Sequence, residues 1–315
     1  MSIKPQLAAD ADLDKLTYPC WSQVKIDGVR AMNLQGTLTG RSLDSFKGFG
    51  ITDYFSRPEF VGLDGEMIEG NDPTAERLCS LTTGAVGRFK GVTEMANFYW
   101  WVFDLVLHET VGLAYRDRYA LLAAKVRELN HPRIRLLGCA EAASKADLLE
   151  IVAANAQAGY EGTIIRNPNA LYKPGRPSKL NELVRVKPWA DSEILVTGVT
   201  EGAKNENEAM TNSLGRTERS SAQAGKVPNG QVGSIQGKML ADYHCAVTGK
   251  LLFAKGLPIT VSSGTMTVKE AVHYFENQQE IVGHIVKYAH MPFGVKDAPR
   301  FPGYLSYRLP EDMSL

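Results

Sequence analysis

In the stretch Trp21-Ser22-Gln23-Val24-Lys25-Ile26-Asp27-Gly28-Val29-Arg30-Ala31-Met32-Asn33-Leu34, two alternating runs flank an Asp-Gly pair. Alternation of apolar with polar residues is the period of a half-buried strand. An Asp-Gly pair between two such runs is a strong hairpin signal. The pattern predicts strand, tight turn, strand, with Lys25 held at the end of the first strand. An amine nucleophile must lose its proton, so its pKa has to fall from the usual value of about 10.4. Burial and neighbouring cations achieve this. Lys187, Arg41 and a bound metal are the candidate cations. Taken alone, the stretch also reads as an exposed hairpin with solvated flanks.

Further along, Leu63-Asp64-Gly65-Glu66-Met67 places a carboxylate after a second expected Asp-Gly turn. Glu161-Gly162-Thr163-Ile164-Ile165-Arg166 places another where a helix should give way to a strand. Leu183-Val184-Arg185-Val186-Lys187 alternates apolar with cationic residues, which predicts Arg185 and Lys187 on one strand face. Each cluster alone reads equally well as a turn, a cap or a solvated face. Together they supply a nucleophile, acids that hold a metal and bases that neutralise phosphate. Phosphoryl and nucleotidyl transfer need that set.

The rest of the first half reads as mixed helix and strand. Asp72-Pro73 should open a helix through about Leu81, with Asp as cap and Pro at the first helical position. Phe98 to Leu107 reads as a buried strand and Tyr115 to Leu129 as an amphipathic helix. Ser144-x-x-Asp147 should cap a further helix that ends at Gly159. Past Pro188-Trp189 the chain turns β-rich, at Ile194 to Val199, Gly233 to Leu240, Lys250 to Ala254 and Gly283 to Tyr288. One helix, capped by Thr267-x-x-Glu270, interrupts it. That content fits a small barrel of the OB type. Between Gly202 and Gly230 the chain is polar and reads as a structureless stretch, either functional or disordered.

The 315 residues suggest two domains. Hydrophobic residues make up 44%, which argues against disorder as the default. No run approaches a membrane span, and Met1 to Asp14 lacks the apolar core of a signal peptide, so a cytoplasmic protein is expected. The 35 basic and 35 acidic residues cancel. Any nucleic-acid site must therefore come from local arrangement. Cys20, Cys79, Cys139 and Cys245 lie far apart without metal-ligand spacing and read as inert thiols.

The order and spacing of these clusters resemble the covalent nucleotidyltransferase superfamily, which comprises ATP-dependent DNA ligases, RNA ligases and mRNA capping enzymes. Lys25 to Arg30 resembles motif I and Thr39-Gly40-Arg41-Ser42 motif Ia. Asp64-Gly65-Glu66 resembles motif III, and Phe103-Asp104 motif IIIa. Glu161-Gly162 resembles motif IV. Arg185-Val186-Lys187 resembles motif V, where the family has Lys at both cationic positions. Arg300-Phe301-Pro302 to Tyr307-Arg308 resembles motif VI of DNA ligases. Asn205 to Ala209 and Asn212 to Ser220 are similar to the latch-like OB-domain insert of small viral DNA ligases.

This resemblance implies a minimal viral or phage-type ATP-dependent DNA ligase of α+β class. It implies an adenylyltransferase domain of antiparallel sheets and flanking helices over residues 1–189. An OB-fold domain should follow over residues 190–315, with a DNA-contacting insert at about 202–230. Lys25 would accept AMP from ATP, with Mg²⁺ as the metal and Mn²⁺ as a substitute. Asp27 would contact the nick ends or a metal. Arg30 and Arg41 would hold the 5′-phosphate, with Arg30 also at the nucleotide. Glu66 would bind the ribose and, with Glu161, the metal, while Phe103 would stack on adenine. Arg185, Lys187 and Arg300 would position phosphates, and Arg216 and Arg219 would touch DNA. The expected substrate is nicked duplex DNA, with a monomeric enzyme and no membrane partner. A GTP-dependent capping guanylyltransferase, an RNA ligase and a non-catalytic OB-fold nucleic-acid binder are the alternatives. The insert and Arg300-Phe301-Pro302 speak against capping, and RNA ligases usually lack the OB domain.

Overall fold

A computed structural model of the protein describes residues 3–75, 77–87, 97–244, 249–296 and 298–308. The chain divides into two compact units, Met1–Lys187 and Pro188–Leu315.

The first unit contains strands β1 (Ala9–Asp10), β2 (Cys20–Lys25), β3 (Val29–Asn33), β4 (Leu38–Thr39), β5 (Leu63–Glu69), β6 (Phe98–Leu105), β7 (Ile134–Leu136), β8 (Ala140–Ala142), β9 (Gly162–Arg166) and β10 (Leu183–Val186). Its α-helices are α1 (Phe49–Phe55), α2 (Leu78–Val86), α3 (Tyr115–Leu129) and α4 (Lys145–Gln157). The strands form two five-stranded sheets, ordered β1-β10-β9-β2-β8 and β4-β3-β5-β6-β7. Leu148 of α4 packs on the first sheet with Cys20, Ile165 and Val184. Ile51 and Phe55 of α1 and Leu122 of α3 pack on the second with Met67, Trp100 and Val102. Ile26 after β2, Ile68 and Phe103 of the second sheet, Leu78 of α2 and Leu137 after β7 form a further apolar cluster, against which Val24 of β2 packs.

The expected hairpin at Asp27-Gly28 is not one. β2 pairs with β8 and β9, whereas β3 pairs with β4 and β5. Asp27-Gly28 carries the chain from one sheet to the other. Glycine is needed there for close approach, since a Cβ on Gly28 would lie 2.4 Å from the Met67 carbonyl oxygen and 2.9 Å from Glu66 Cγ. The second expected turn, Asp64-Gly65, lies inside β5 at a register shift. A Cβ on Gly65 would lie 2.4 Å from the Trp101 carbonyl oxygen.

Helix α3 has its expected bounds. Helix α4 starts at its Ser144 cap, whose hydroxyl accepts from the Asp147 amide, and Gly159 follows at φ +88. Helix α2 begins at Leu78, later than Asp72-Pro73 suggests. The Asp72 carboxylate instead accepts from the Thr74 amide at 2.8 Å and its hydroxyl at 2.6 Å, closing a local turn.

The second unit contains β11 (Ala190–Asn205), β12 (Ala209–Thr211), β13 (Thr217–Arg219), β14 (Lys226–Met239), β15 (Tyr243–His244), β16 (Leu251–Phe253), β17 (Pro258–Ser262), α5 (Val268–Glu276), β18 (Ile285–Lys296) and β19 (Ala298–Arg308). Strands β11-β14-β17-β19-β18 close into a five-stranded barrel, the OB architecture. Ile194, Val196, Ile235, Val261, Val286 and Tyr288 fill it. Helix α5 carries the expected capping box, Thr267 with Glu270.

The stretch 202–230, expected to lack structure, is ordered. β11 and β14 continue as a two-stranded ribbon up to the pair Asn205 and Lys226, and β12 and β13 form a hairpin beyond it. Side-chain amides replace apolar packing here. Asn205 donates to the Ser220 carbonyl at 2.9 Å, and Asn207 to the Ala222 carbonyl at 2.8 Å.

Cys20, Cys79 and Cys139 are free thiols; Cys245 lies outside the described residues. Among the described residues, no helix is long and apolar enough to cross a membrane.

Candidate active site

In the first sheet, Lys25 at the end of β2 stands opposite Gly162 at the start of β9. Val186 at the end of β10 stands opposite Thr163. Glu161, just before β9, and Lys187, just after β10, are therefore brought to the same end of the sheet as Lys25. A Cβ on Gly162 would lie 2.3 Å from the Val186 carbonyl oxygen, so only glycine lets β9 and β10 meet there. The Glu161 side chain is 4% exposed and lies between the two lysines. Its Oε2 accepts from Lys25 Nζ, and its Oε1 accepts from Lys187 Nζ at 2.5 Å. Burial alone would raise the Glu161 pKa. The Lys25 and Lys187 ammonium groups outweigh that and hold it below the usual carboxylate range. Lys25 and Lys187 thus share the one Glu161 carboxylate.

The second sheet supplies the other side. Arg30 of β3 pairs in register with Glu66 of β5, and Glu66 with Trp101 of β6. Glu66 lies within electrostatic reach of Lys25, Asp27, Arg30 and Glu161. Burial pushes its carboxyl up to about 7 although Lys25 and Arg30 pull the other way. A carboxyl with a raised pKa binds protons more tightly in the folded state than in the unfolded chain. Its contribution to stability therefore falls as pH rises from the usual 4.5 towards 7. Glu66→Gln should remove that loss. The melting temperature of the variant should rise relative to the parent between pH 5 and pH 8. The gain should reach at most about 3 kcal/mol. A gap that stays flat or narrows with pH would refute this.

Arg30 forms a bidentate pair with Asp64, Nε to Oδ1 at 2.5 Å and Nη2 to Oδ2 at 2.6 Å. Its guanidinium carbon lies 4.7 Å from the centre of the Phe103 ring. That of Arg166 lies 5.1 Å from the same ring. Phe103, expected to stack on a base, is 8% exposed and already touches two guanidinium groups. Arg41 is exposed in the turn after β4.

Arg185 lies two positions before Lys187 and opposite Asp10 of the neighbouring edge strand. β10 ends at Val186, and Arg185 Nε donates to Asp10 of β1 at 2.8 Å. The structure thus brings Lys25, Asp27, Glu66, Glu161 and Lys187 together, with Arg185 paired to Asp10.

In the second unit, Arg300 lies on β19 with its guanidinium 5.2 Å from the Phe301 ring. Phe301 is exposed and sits at φ +51. Arg216 and Arg219 are exposed on the hairpin, and Arg219 donates to the Asn207 carbonyl.

A buried ionic network under Phe103 has no counterpart in the expected site. Asp104 accepts from Arg118 at 2.8 and 3.0 Å and lies 3.5 Å from Arg166 Nη1. Arg166 Nε donates to Gln23 Oε1 at 3.0 Å. One available signal was that Arg166 ends the apolar run Thr163-Ile164-Ile165, where a buried cation requires a partner.

Among the described residues, no group of three or more His, Cys, Asp or Glu side chains is poised to hold a metal unaided. Mg²⁺ commonly takes one or two carboxylates and completes its shell with substrate phosphates and water. The neighbouring carboxylates of Glu66 and Glu161 fit that donor set.

A family model for the ATP dependent DNA ligase domain matches residues 5–187. A DNA ligase from a warthog isolate of African swine fever virus is 24% identical over 149 residues, covering 47% of this chain and 34% of that protein. The DNA ligase of the Badajoz strain is 26% identical over 151 residues, again covering 47% and 34%. The matched region spans about a third of the length of these curated relatives. In fold, the chain is similar to Chlorella virus DNA ligase-adenylate, with a TM-score of 0.51 and 24% identity over 99% of this chain and 100% of that one. It is also similar to a Lig E DNA ligase, with a TM-score of 0.68 and 19% identity over 98% and 100%. The family model covers more than half of the chain, and the chain belongs to the ATP-dependent DNA ligase family.

Proposed function

We propose that this protein seals 3′-OH/5′-phosphate nicks in duplex DNA, using ATP and a covalent lysyl-AMP intermediate on Lys25. The observation that carries this reading is the single buried carboxylate of Glu161 shared by Lys25 and Lys187. Lys25 Nζ gives up its proton to solvent and bonds the α-phosphorus of ATP as the bond to pyrophosphate breaks. As Lys25 leaves the ion pair, Lys187 stays on Glu161 and keeps that carboxylate ionised. The Lys187 ammonium supplies positive charge to the phosphates, where the transition state carries its negative charge. In the second step the adenylyl group moves to the 5′-phosphate of the nick, and Lys25 returns to Glu161. In the third, the 3′-OH attacks the activated phosphate and AMP leaves.

Glu66 and Glu161 would hold Mg²⁺, which offsets phosphate charge when bound. Asp27, Arg30 and Arg41 are assigned to the nick end, Glu66 to the ribose and Phe103 to the adenine. Arg185 and Arg300 are assigned to phosphate positioning, with Arg185 acting from its pair with Asp10. The protein acts as a monomer. The test is strand joining on a 5′-phosphorylated nicked duplex, with ATP and GTP compared. ATP-dependent joining supports the reading. Labelling only by GTP would favour capping chemistry, and joining only on RNA would favour an RNA ligase.

Arg216 and Arg219 on the hairpin are assigned to the DNA backbone. Asn205 lies opposite Lys226, so residues 206–225 can be replaced by an Asn-Gly turn that closes β11 on β14. That variant should bind nicked duplex at least ten-fold more weakly, about two phosphate contacts' worth of affinity. Its self-adenylylation should stay within about three-fold of the parent, since Lys25 and Glu161 lie in the other unit. Loss of both activities would refute the assignment.

A further inference from the structure

We propose that Arg166 is a positioning residue that holds the nucleophile strand in register with the nucleoside side of the site. The inference rests on Lys25 being the nucleophile. The two sides of the site lie on different sheets. Lys25, Glu161 and Lys187 belong to the first, while Arg30, Glu66 and Phe103 belong to the second. Near the site Val24 of the first sheet packs on Ile68 and Phe103 of the second in a cluster with Ile26, Leu78 and Leu137. Apolar contact is non-directional and does not by itself set how far one sheet slides along the other.

Arg166 supplies a localised ionic tie. It projects from β9 of the first sheet and is 2% exposed. Its Nε donates to Gln23 Oε1 at 3.0 Å, and its Nη1 lies 3.5 Å from Asp104 Oδ2 on β6 of the second sheet. Its planar head lies 4.3 Å from the centre of the Tyr115 ring and 5.1 Å from that of Phe103. Both ends of the tie are anchored. Arg118 holds Asp104 by two bonds, at 2.8 and 3.0 Å. Gln23 Nε2 donates to the Leu137 carbonyl at 3.2 Å. Gln23 is two residues before Lys25 on β2, so both project from the same face. A buried network saturated in this way has one geometry and resists shear.

The consequence is specific to one step. In self-adenylylation the nucleophile sits on the first sheet while the second sheet holds the nucleoside, so any slip between sheets enters the attack distance directly. In joining of a nick that already carries AMP, nucleophile and leaving group both belong to the DNA, and Lys25 does not react. The experiment compares two single-turnover rates for the full-length protein. One is self-adenylylation at saturating ATP, and the other is joining of a pre-adenylylated nick without ATP. Arg166→Met keeps length and removes the charge. It should slow self-adenylylation about 100-fold, the cost of a misplacement near 1 Å, and leave joining within about three-fold. Gln23→Met removes the β2 end of the tie together with the bond to the Leu137 carbonyl, leaves the pair of Arg166 with Asp104, and should slow self-adenylylation about ten-fold with the same sparing of joining. It decides the matter if Arg166→Met does not fold. Equal losses in both reactions would mean a merely structural role, and an unchanged self-adenylylation rate would mean no role; either overturns the proposal. Failure of the parent protein to label would instead overturn the ligase reading itself.

Discussion

Lys25→Ala protein mixed with α-labelled ATP should carry no covalent label. The expected loss is at least about 10⁴-fold, since removing a nucleophile leaves only binding and charge stabilisation. The position is well defined. Lys25 closes β2, its ammonium is paired with Glu161, and the chain turns into the second sheet directly after it. The substitution removes one partner of a half-buried pair but leaves Lys187 on Glu161, so the carboxylate keeps a counter-ion. The fold should therefore persist, and a thermal melt within a few degrees of the parent checks it. Retained labelling would move the nucleophile elsewhere.

Glu161→Gln should produce the next largest effect, slowing self-adenylylation by about 10²- to 10³-fold, the usual cost of one electrostatic contact in a reacting site. Glutamine keeps the shape and accepts from one lysine through its carbonyl oxygen. It cannot serve both. The ammonium groups of Lys25 and Lys187, which the carboxylate now holds on its two oxygens, would be left facing each other with their charges unbalanced. The carboxylate is also one of the two proposed to hold the metal, so excess Mg²⁺ or Mn²⁺ should restore part of the rate. Quenched-flow labelling of folded variant protein provides the measurement. A rate within about three-fold of the parent would show that the shared carboxylate is structural, since a true electrostatic contact costs far more.

The parts of this molecule that were legible are those governed by local chemistry. Tyr115 to Leu129 has helical periodicity, Ser144 and Thr267 have capping side chains, and Phe98 to Leu105 is apolar enough to be a buried strand. Each forms as its own residues dictate. The central cluster was legible too, because Lys25, Glu161 and Lys187 sit at strand ends that backbone pairing brings together.

The rest depends on distant contacts. Asp27-Gly28 has the composition of a hairpin turn, and only the Met67 carbonyl packed against Gly28 shows that it crosses between sheets. The hairpin β12–β13 is exposed on both faces, so it carries no apolar alternation and resembles a disordered tract until its backbone and asparagine bonds are traced. Strand β17 does alternate, at Pro258 to Ser262, but its five residues were too short to stand out beside their neighbours. Arg185 has the right residue type and spacing for the site, and no local pattern shows its pair with Asp10, 175 positions away. The network of Gln23, Asp104, Arg118 and Arg166 joins four separate segments, and no local pattern announces it.

The most direct measurement of the central claim uses purified protein labelled from α-labelled ATP and then freed of nucleotide. Added to a nicked duplex with Mg²⁺ and no ATP, it should lose its label to the 5′-phosphate of the nick, release free AMP and yield joined strands, no more than one per labelled protein. Label that stays on the protein, or leaves as AMP without strand joining, would contradict the account.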